Sequence, residues 1–228
     1  TRDHLAGRLK TFLTGALHYE EVLDRLRIFA AEQRFLIGIR LLTGAISGMQ
    51  AGRAFTDLAD LLIVEALAAV EREIEAAHGL YPGGRVAVMG MGKLGSFELT
   101  AASDVDLIVL YDYDDEAMES QGPKPIDATR YFTRLTQRLM AALSAPMAEG
   151  VIFEVDMRLR PSGNKGPVAT HAGAFAKYQR GDAWTWEHMA LSRARTIAGD
   201  DALREAVEAE VSAVLALPGD AKKVKAEA

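Results

Sequence analysis

The chain has 228 residues, of which 49% are hydrophobic and 25% are charged, and its 26 Lys and Arg against 32 Asp and Glu give a net charge of −6. This composition excludes a disordered chain, the acidic balance argues against a nucleic-acid coat, and no apolar run approaches the roughly 20 residues that span a bilayer. The absence of Cys excludes disulfides and thiolate chemistry and is consistent with a cytoplasmic location.

Residues 1–80 are predicted to form a helical segment. Apolar residues over Leu23–Phe29 and Phe35–Leu42 recur at helical spacing, which predicts that both groups belong to the core. The Thr56-Asp57 pair is a candidate N-cap for a later helix. The stretch Gly79–Gly84, which contains Pro82, then ends the helical pattern.

Residues 81–170 are predicted to form a small mixed sheet with helices, and residues 171–228 a helical C-terminal region with a frayed tail from Lys222. The acidic loop Asp112–Asp127 lies within the first of these segments. The fold class predicted is therefore α+β. The predicted strands are Arg85–Met89, Val105–Tyr111 and Val151–Arg160, and the predicted helices are Phe97–Ala101, Thr129–Ala145, His171–Arg180, Trp184–Arg195 and Asp201–Leu215.

A glycine-rich stretch, Gly90–Ser96, follows the first predicted strand. Its three glycines match G-x-G-x-x-G, and Asp112 ends the next strand, which is the outline of a dinucleotide site. Only residues 96–102 are available for the helix that such a site requires, and two carboxylates entering a buried parallel strand are unfavourable. A Walker A loop is a poorer match, because no Ser or Thr follows Lys93 at the required spacing.

The two carboxylates that open the second predicted strand favour a metal site instead. Side chains alternate along a strand, so Asp104 and Asp106 share one face. Adjacent carboxylates repel unless a cation binds, and their hard oxygens suit Mg²⁺, with Mn²⁺ as an alternative. The Gly95-Ser96 pair, just before the predicted short helix, is placed to offer backbone N–H groups to a triphosphate.

Asp156, in the third predicted strand, is the candidate for a third carboxylate. It shares a strand face with Glu154, Arg158 and Arg160. Taken alone, that face is more typical of a salt-bridged surface strand. Beside the Asp104-x-Asp106 pair, the metal-site interpretation is favoured.

Gly95-Ser96, Asp104-x-Asp106 and the distant Asp156 follow the layout of the DNA polymerase β-like nucleotidyltransferase superfamily, which the chain resembles. Over residues 20–210 it further resembles the glutamine-synthetase adenylyltransferase family, although Ser96 stands where that family more often has a second glycine. Four motifs in the same order carry this resemblance: Gly92-Lys93-Leu94-Gly95-x-x-Glu98-Leu99, Ser103-Asp104-x-Asp106-Leu107-Ile108, Val155-Asp156-x-Arg158-Leu159-Arg160-Pro161-Ser162-Gly163 and Trp184-Thr185-Trp186-Glu187-His188.

The resemblance implies one half of a bifunctional enzyme whose two related nucleotidyltransferase domains are separated by a helical region. One domain adds AMP from ATP to a tyrosine of glutamine synthetase, and the other removes it by phosphorolysis. The segments Arg160–Asn164 and Ala183–His188 are more similar to the C-terminal, adenylylating half. This chain, which begins in helical sequence at Thr1, would then be a fragment without the other half, with residues 81–170 as its catalytic core.

The same resemblance implies glutamine synthetase as protein substrate and the PII signal protein as regulator of the intact enzyme. The acidic charge balance and the lack of a long apolar run predict neither nucleic acid nor membrane as partner. The resemblance also implies that Asp104 and Asp106 ligate the metal and that Asp156 completes the site and accepts the tyrosine proton. Two alternatives remain open, the phosphorolytic removal of AMP and a non-catalytic module that senses a nucleotide.

Several cations and aromatic residues near these motifs have two interpretations. Lys93 either contacts phosphate or is simply solvated. Arg158 and Arg160 either neutralise the triphosphate, since guanidinium groups suit phosphate oxygens, or balance neighbouring carboxylates. Trp184 and Trp186 are interpreted as core or interface anchors rather than as a platform for a base.

Overall fold

Eight α-helices and a five-stranded sheet make up residues 1–218, the part of the chain that this computed structural model describes. The fold is α+β, which confirms the predicted class. The tail from Lys222 lies outside the described residues. The helices are α1 Arg2–Leu13, α2 Tyr19–Leu42, α3 Gly48–His78, α4 Gly92–Gly95, α5 Ala128–Ser144, α6 Ala172–Gly181, α7 Thr185–Leu191 and α8 Asp201–Leu215, and the strands are β1 Arg85–Gly90, β2 Val105–Asp112, β3 Val155–Asp156, β4 Ala169–His171 and β5 Arg195–Gly199.

The sheet is mixed and is built around β2. Strand β1 pairs antiparallel with both β2 and β5, whereas β3 and β4 pair parallel with β2. A dinucleotide site requires parallel strands joined by a crossover helix at the glycine-rich turn. The antiparallel pairing of β1 with β2 therefore excludes that interpretation of Gly90, Gly92 and Gly95.

Two hydrophobic cores cover the two faces of the sheet. Leu107 and Val109 of β2 belong to the larger core, which includes buried residues of α1, α2, α3 and α5. Ile108 and Leu110 belong to the smaller core, beneath α6 and α8. Since side chains alternate along a strand, Asp106 points to the same side as Ile108, at the beginning of β2.

The third predicted strand, Val151–Arg160, is wrong in length, because only Val155–Asp156 is extended and paired. The chain turns after Asp156, and the guanidinium of Arg160 fixes this turn. It donates to the carbonyl oxygens of Met157 at 2.7 Å and Pro167 at 3.1 Å. Arg160 is only 8% exposed, so its charge supports the turn instead of extending a strand face.

Two helix predictions are also wrong, one just after the glycine-rich stretch and the other just before β5. The helical turn is Gly92–Gly95, not Phe97–Ala101. The helix predicted over Trp184–Arg195 is helical only over Thr185–Leu191, and the chain then enters the unpredicted strand β5. Gly199 ends this strand with a φ of +105°, where a Cβ would collide with the carbonyl of Val86, and only glycine tolerates that close approach.

The apolar residues predicted as core over Phe35–Leu42 are mostly exposed. Phe35 is 66% exposed and Leu42 is 84% exposed, whereas Leu26 and Phe29 earlier on α2 are buried. Helical periodicity identifies an apolar face but does not show whether another element covers it. Trp184 and Trp186 are half-exposed as well, so they are not core residues.

Helix α3 begins well before the predicted cap. Its N-cap is Ser47, whose hydroxyl accepts from Gln50 N at 3.3 Å, while the Gln50 side chain accepts from Ser47 N at 2.8 Å. This reciprocal pair is a capping box. Thr56 lies inside the helix and donates its hydroxyl to the carbonyl of Gly52, so the prediction of a cap at Thr56-Asp57 is wrong.

Ser47→Ala is expected to lower the free energy of unfolding by about 1 kcal/mol, because it removes an acceptor for the free N–H groups of the first turn. Urea denaturation measures the change. Asp57→Ala, in the helix interior, serves as control and should change stability by less than about 0.5 kcal/mol. A loss confined to the Asp57 variant would instead place the helix start near residue 57.

Candidate functional site

Strands β2 and β3 bring the predicted carboxylates together. They run parallel, with Asp106 paired directly with Asp156, and Asp104 immediately precedes β2. Burial raises the pKa of Asp106, and the charges of Asp104 and then Asp156 raise it further. Arg158 and Lys93 act in the opposite direction. The edge of the sheet thus concentrates negative charge that nearby cations only partly offset.

Arg158 holds Asp156 in this structure. Its backbone N–H donates to Asp156 Oδ1 and its Nε donates to Oδ2, each at 2.7 Å. These hydrogen bonds and the guanidinium charge lower the pKa of Asp156, so it is ionised at neutral pH. The side chain of Arg158 is itself largely exposed, so water screens its attraction to the carboxylate.

The described residues contain no group of three or more His, Cys, Asp or Glu side chains already placed to hold a metal ion. The chemistry of the donors nevertheless fits a divalent cation, because carboxylate oxygens with unbalanced charge are the ligands that Mg²⁺ prefers. Both oxygens of Asp156 are bonded to Arg158. The guanidinium and main chain of Arg158 therefore compete with a shared cation for Asp156.

The glycine turn α4 lies directly against Asp106. A Cβ at Gly92 would be 2.7 Å from Asp106 Oδ2, and Gly92 has a φ of +55°. A Cβ at Gly95 would collide with the backbone carbonyl of Arg193. Both glycines therefore permit a close approach that any other residue would block.

The backbone donors at the end of this turn are already used. The N–H of Gly95 donates to Met91 O at 3.0 Å and that of Ser96 donates to Gly92 O at 3.1 Å. A phosphate bound through these two N–H groups, as predicted, would therefore compete with the turn's own hydrogen bonds, because the helical turn precedes Ser96 instead of following it. Lys93, on the same turn, is exposed.

Ser96 belongs to a polar cluster on the outer side of the turn. Its hydroxyl lies 2.7 Å from Glu98 Oε2 and 2.9 Å from Gly92 O, and it accepts from Arg193 Nη2 at 2.8 Å. Arg193 also forms an ion pair with Glu98. The hydrogen bond from Ser96, followed by the charge of Arg193, lowers the pKa of Glu98.

A buried ion pair supports the turn from behind. Asp60 of α3 is fully buried and accepts from both terminal nitrogens of Arg195, at 2.7 Å and 2.9 Å. Arg195 also donates to Leu94 O at 3.1 Å, and its guanidinium lies 4.2 Å from the centre of the Phe97 ring. Phe97 follows the turn with a φ of +62°, so this contact fixes an unfavourable backbone conformation.

No sequence pattern identified Asp60, Arg193 or Arg195. Asp60 reads as one polar residue in a long helix, and the two arginines fell within and at the end of a predicted helix. Arg160, by contrast, was a candidate for phosphate contact, but its side chain is buried against main-chain carbonyls. The site therefore contains one fewer accessible arginine after β3 than the sequence predicts.

Every helix in residues 1–218 is too short or too polar to cross a membrane.

The family model for glutamate-ammonia ligase adenylyltransferase matches residues 1–210. Three curated relatives are each named bifunctional glutamine synthetase adenylyltransferase/adenylyl-removing enzyme. The one from Agrobacterium fabrum is 70% identical over 227 residues, the one from Rhizobium meliloti 68% over 225, and the one from a Bradyrhizobium species 46% over 223.

These matches cover 98–100% of this chain but 23% of each relative, so the chain spans about a quarter of their length. The family model covers most of the chain on its own. The four motifs around Gly95, Asp104, Asp156 and Trp184 therefore pointed to the correct family. This chain belongs to the glutamate-ammonia ligase adenylyltransferase family.

Proposed function

We propose that this chain carries a nucleotidyltransferase site that transfers AMP from ATP to a tyrosine of glutamine synthetase and releases pyrophosphate. The observation that carries the proposal is the approach of Asp104, Asp106 and Asp156 to one another beside the glycine turn. Family membership supports adenylyl chemistry, since the relatives are named for both adding and removing adenylyl groups. In the intact enzyme, we propose a cytoplasmic location and regulation by the PII signal protein.

Asp104, Asp106 and Asp156 are the proposed ligands of Mg²⁺ or Mn²⁺, which when bound would neutralise phosphate charge and polarise the phosphoryl group. The tyrosine oxygen attacks the α-phosphorus, a new O–P bond forms, and the bond from the α-phosphorus to the bridging oxygen breaks, so that pyrophosphate leaves. Asp156 is the proposed acceptor of the tyrosine proton. Asp156 is ionised in this structure, as a proton acceptor must be.

The surrounding cations and Ser96 are proposed to bind the triphosphate. Lys93 is exposed on the turn that contacts Asp106. Arg158 is held by Asp156 and exposed, so exchanging its carboxylate partner for phosphate would both bind nucleotide and free Asp156. Arg160 supports this arrangement by fixing the turn that follows Asp156.

The proposal also assigns a direction to the reaction, which is the addition of AMP. The segments Arg160–Asn164 and Ala183–His188 resemble the adenylylating half, which supports addition of AMP. Phosphorolytic removal is the second candidate, because the relatives' names include an adenylyl-removing activity. The two differ in whether ATP or orthophosphate is the co-substrate.

The test mixes the chain with Mg²⁺, α-labelled ATP and unmodified glutamine synthetase, with Asp104→Asn as control. Label on glutamine synthetase, absent with the Asp104 variant, is the expected result. Release of ADP from adenylylated glutamine synthetase in the presence of orthophosphate, without labelling, would assign the removing activity instead. ATP binding with turnover in neither direction would favour a nucleotide-sensing module.

A further inference from the structure

Arg193 reaches the glycine turn from the loop between α7 and β5. Its backbone carbonyl packs on Gly95 so closely that a Cβ there would collide with it. Its Nη2 donates to the Ser96 hydroxyl at 2.8 Å, across a sequence separation of 97 residues. Arg193 therefore lies on the turn through its main chain and its side chain together.

The position of Arg193 is fixed by its neighbour two residues later. Arg195 is bound to the buried Asp60 by two hydrogen bonds and donates to the carbonyl of Leu94 within the turn. The segment Arg193–Arg195 therefore contacts the glycine turn at both of its ends, through the carbonyl of Arg193 and the guanidinium of Arg195. With its main chain fixed in this way, Arg193 loses less conformational freedom on binding an anion than an arginine on a mobile loop would.

Arg193 pairs with Glu98, an exposed carboxylate that a more highly charged anion can replace. The side chain of Arg193 is 46% exposed and that of Glu98 is 63% exposed. An exposed ion pair of this kind contributes little free energy because water screens it. Charge-assisted hydrogen bonds from guanidinium to phosphate are stronger and often bidentate, so a polyphosphate at Ser96 would compete well with Glu98.

We propose that Arg193 is a further binding residue of this site, which releases Glu98 and binds the polyphosphate tail of a nucleoside triphosphate. The ligand class follows from the turn itself, which places Arg193 and Ser96 on one side and Lys93 and Asp106 close by. This inference rests on the proposed function, because it assigns a new residue to the same nucleotide site.

The experiment measures the Kd of Mg²⁺-ATP for the whole chain by calorimetry. Arg193→Ala is expected to raise the Kd about 10-fold or more, the scale of a lost charged hydrogen bond. Arg193→Lys should fall between this variant and the wild type, because Lys supplies charge without the fork geometry. Arg180→Ala is the matched control, since Arg180 is similarly exposed and pairs with Glu210 of α8, and its Kd should be unchanged.

Two further measurements separate phosphate binding from support of the turn. Glu98→Gln removes the competing charge and should bind Mg²⁺-ATP at least as tightly as the wild type. Inorganic tripolyphosphate should compete with Mg²⁺-ATP for the wild type but at least about 10-fold less well for Arg193→Ala. Equal weakening by the Glu98 and Arg193 variants would show that the pair is structural and would overturn the proposal.

An unchanged Kd for Arg193→Ala would also overturn it, while leaving the nucleotide site itself standing. If the wild-type chain binds no Mg²⁺-ATP, the proposed function fails and the role of Arg193 fails with it. The wild-type titration thus distinguishes the two failures before any variant is compared.

Discussion

Asp106→Asn is expected to reduce AMP transfer at least about 100-fold, on the scale of removing one electrostatic group from an active site, while leaving the fold intact. Burial and the charges of Asp104 and Asp156 raise the pKa of Asp106 in the folded chain. A carboxyl group whose pKa is raised by folding stabilises the fold at low pH, where it is protonated. That stabilisation is lost as the pH rises through the pKa of the group in the folded chain. At pH 7 the neutral Asn should therefore be tolerated at least as well as the ionised Asp.

Thermal unfolding in metal-free buffer from pH 5 to pH 8 measures this effect beside the transfer assay. The Tm of the Asp106 variant should equal or exceed that of the wild type at pH 7, and the difference should shrink as pH falls. Added Mg²⁺ should raise the Tm of the wild type but not of the variant. Asp115→Asn, an exposed acid in the Asp112–Asp127 loop, should change neither measurement.

Transfer by Asp106→Asn at near the wild-type rate would mean that the metal assignment is wrong. A metal-free Tm well below that of the wild type would mean something different, that Asp106 supports the fold directly. The pair of measurements therefore separates a residue kept for chemistry from one kept for stability.

Elements with strong local signals were predictable from the sequence. Helix α8 was predicted over Asp201–Leu215 and has those bounds, because its apolar period and the acceptor at Asp200 are both local. Strand β3 is shorter than predicted, because only two of its residues are paired. Strand β5 was not predicted, because it is defined by its distant partner β1. Pairing with a remote strand leaves no periodic signal within a segment of five residues.

The residues of the candidate site also differ in whether a local sequence pattern could identify them. Asp104-x-Asp106 is a local pattern, since two residues of equal parity on one strand must share a face. The polar groups that support the turn come from remote places, Asp60 on α3 and Arg193 and Arg195 at β5. Their meeting depends on the pairing of β5 with β1 and on the packing of α3 against β5, which spacing along the chain does not encode. Phe35 marks the same limit, because its periodicity was correct but its burial depended on a covering element.

Asp60→Ala is expected to lower the free energy of unfolding by about 3–5 kcal/mol, the scale of breaking a buried ion pair. The change leaves the guanidinium of Arg195, whose side chain is only 18% exposed, without its carboxylate. It also weakens the anchor of the Leu94 carbonyl and of the Phe97 ring. Urea denaturation at pH 7 measures the loss.

The double variant Asp60→Leu with Arg195→Met should recover most of that stability, because well-packed apolar residues often replace a buried pair without loss. Burial raises the pKa of Asp60 even though Arg195 opposes the shift, so desolvation of this carboxylate outweighs its pairing. Arg195→Met alone leaves Asp60 buried without that partner, and protonation relieves the carboxylate. Its destabilisation should therefore be larger at pH 8 than at pH 5, whereas that of Asp60→Ala should change less.

A loss below about 1 kcal/mol for Asp60→Ala would contradict a structural role for the buried pair. Equal losses for Arg195→Met at both pH values would contradict the protonation of the unpaired Asp60. The double variant then distinguishes stability from site geometry. If the pair holds the turn as well as the fold, the double variant should unfold like the wild type yet bind Mg²⁺-ATP more weakly, because a methionine side chain cannot donate to the carbonyl of Leu94. Wild-type affinity in that variant would show that packing alone positions the turn.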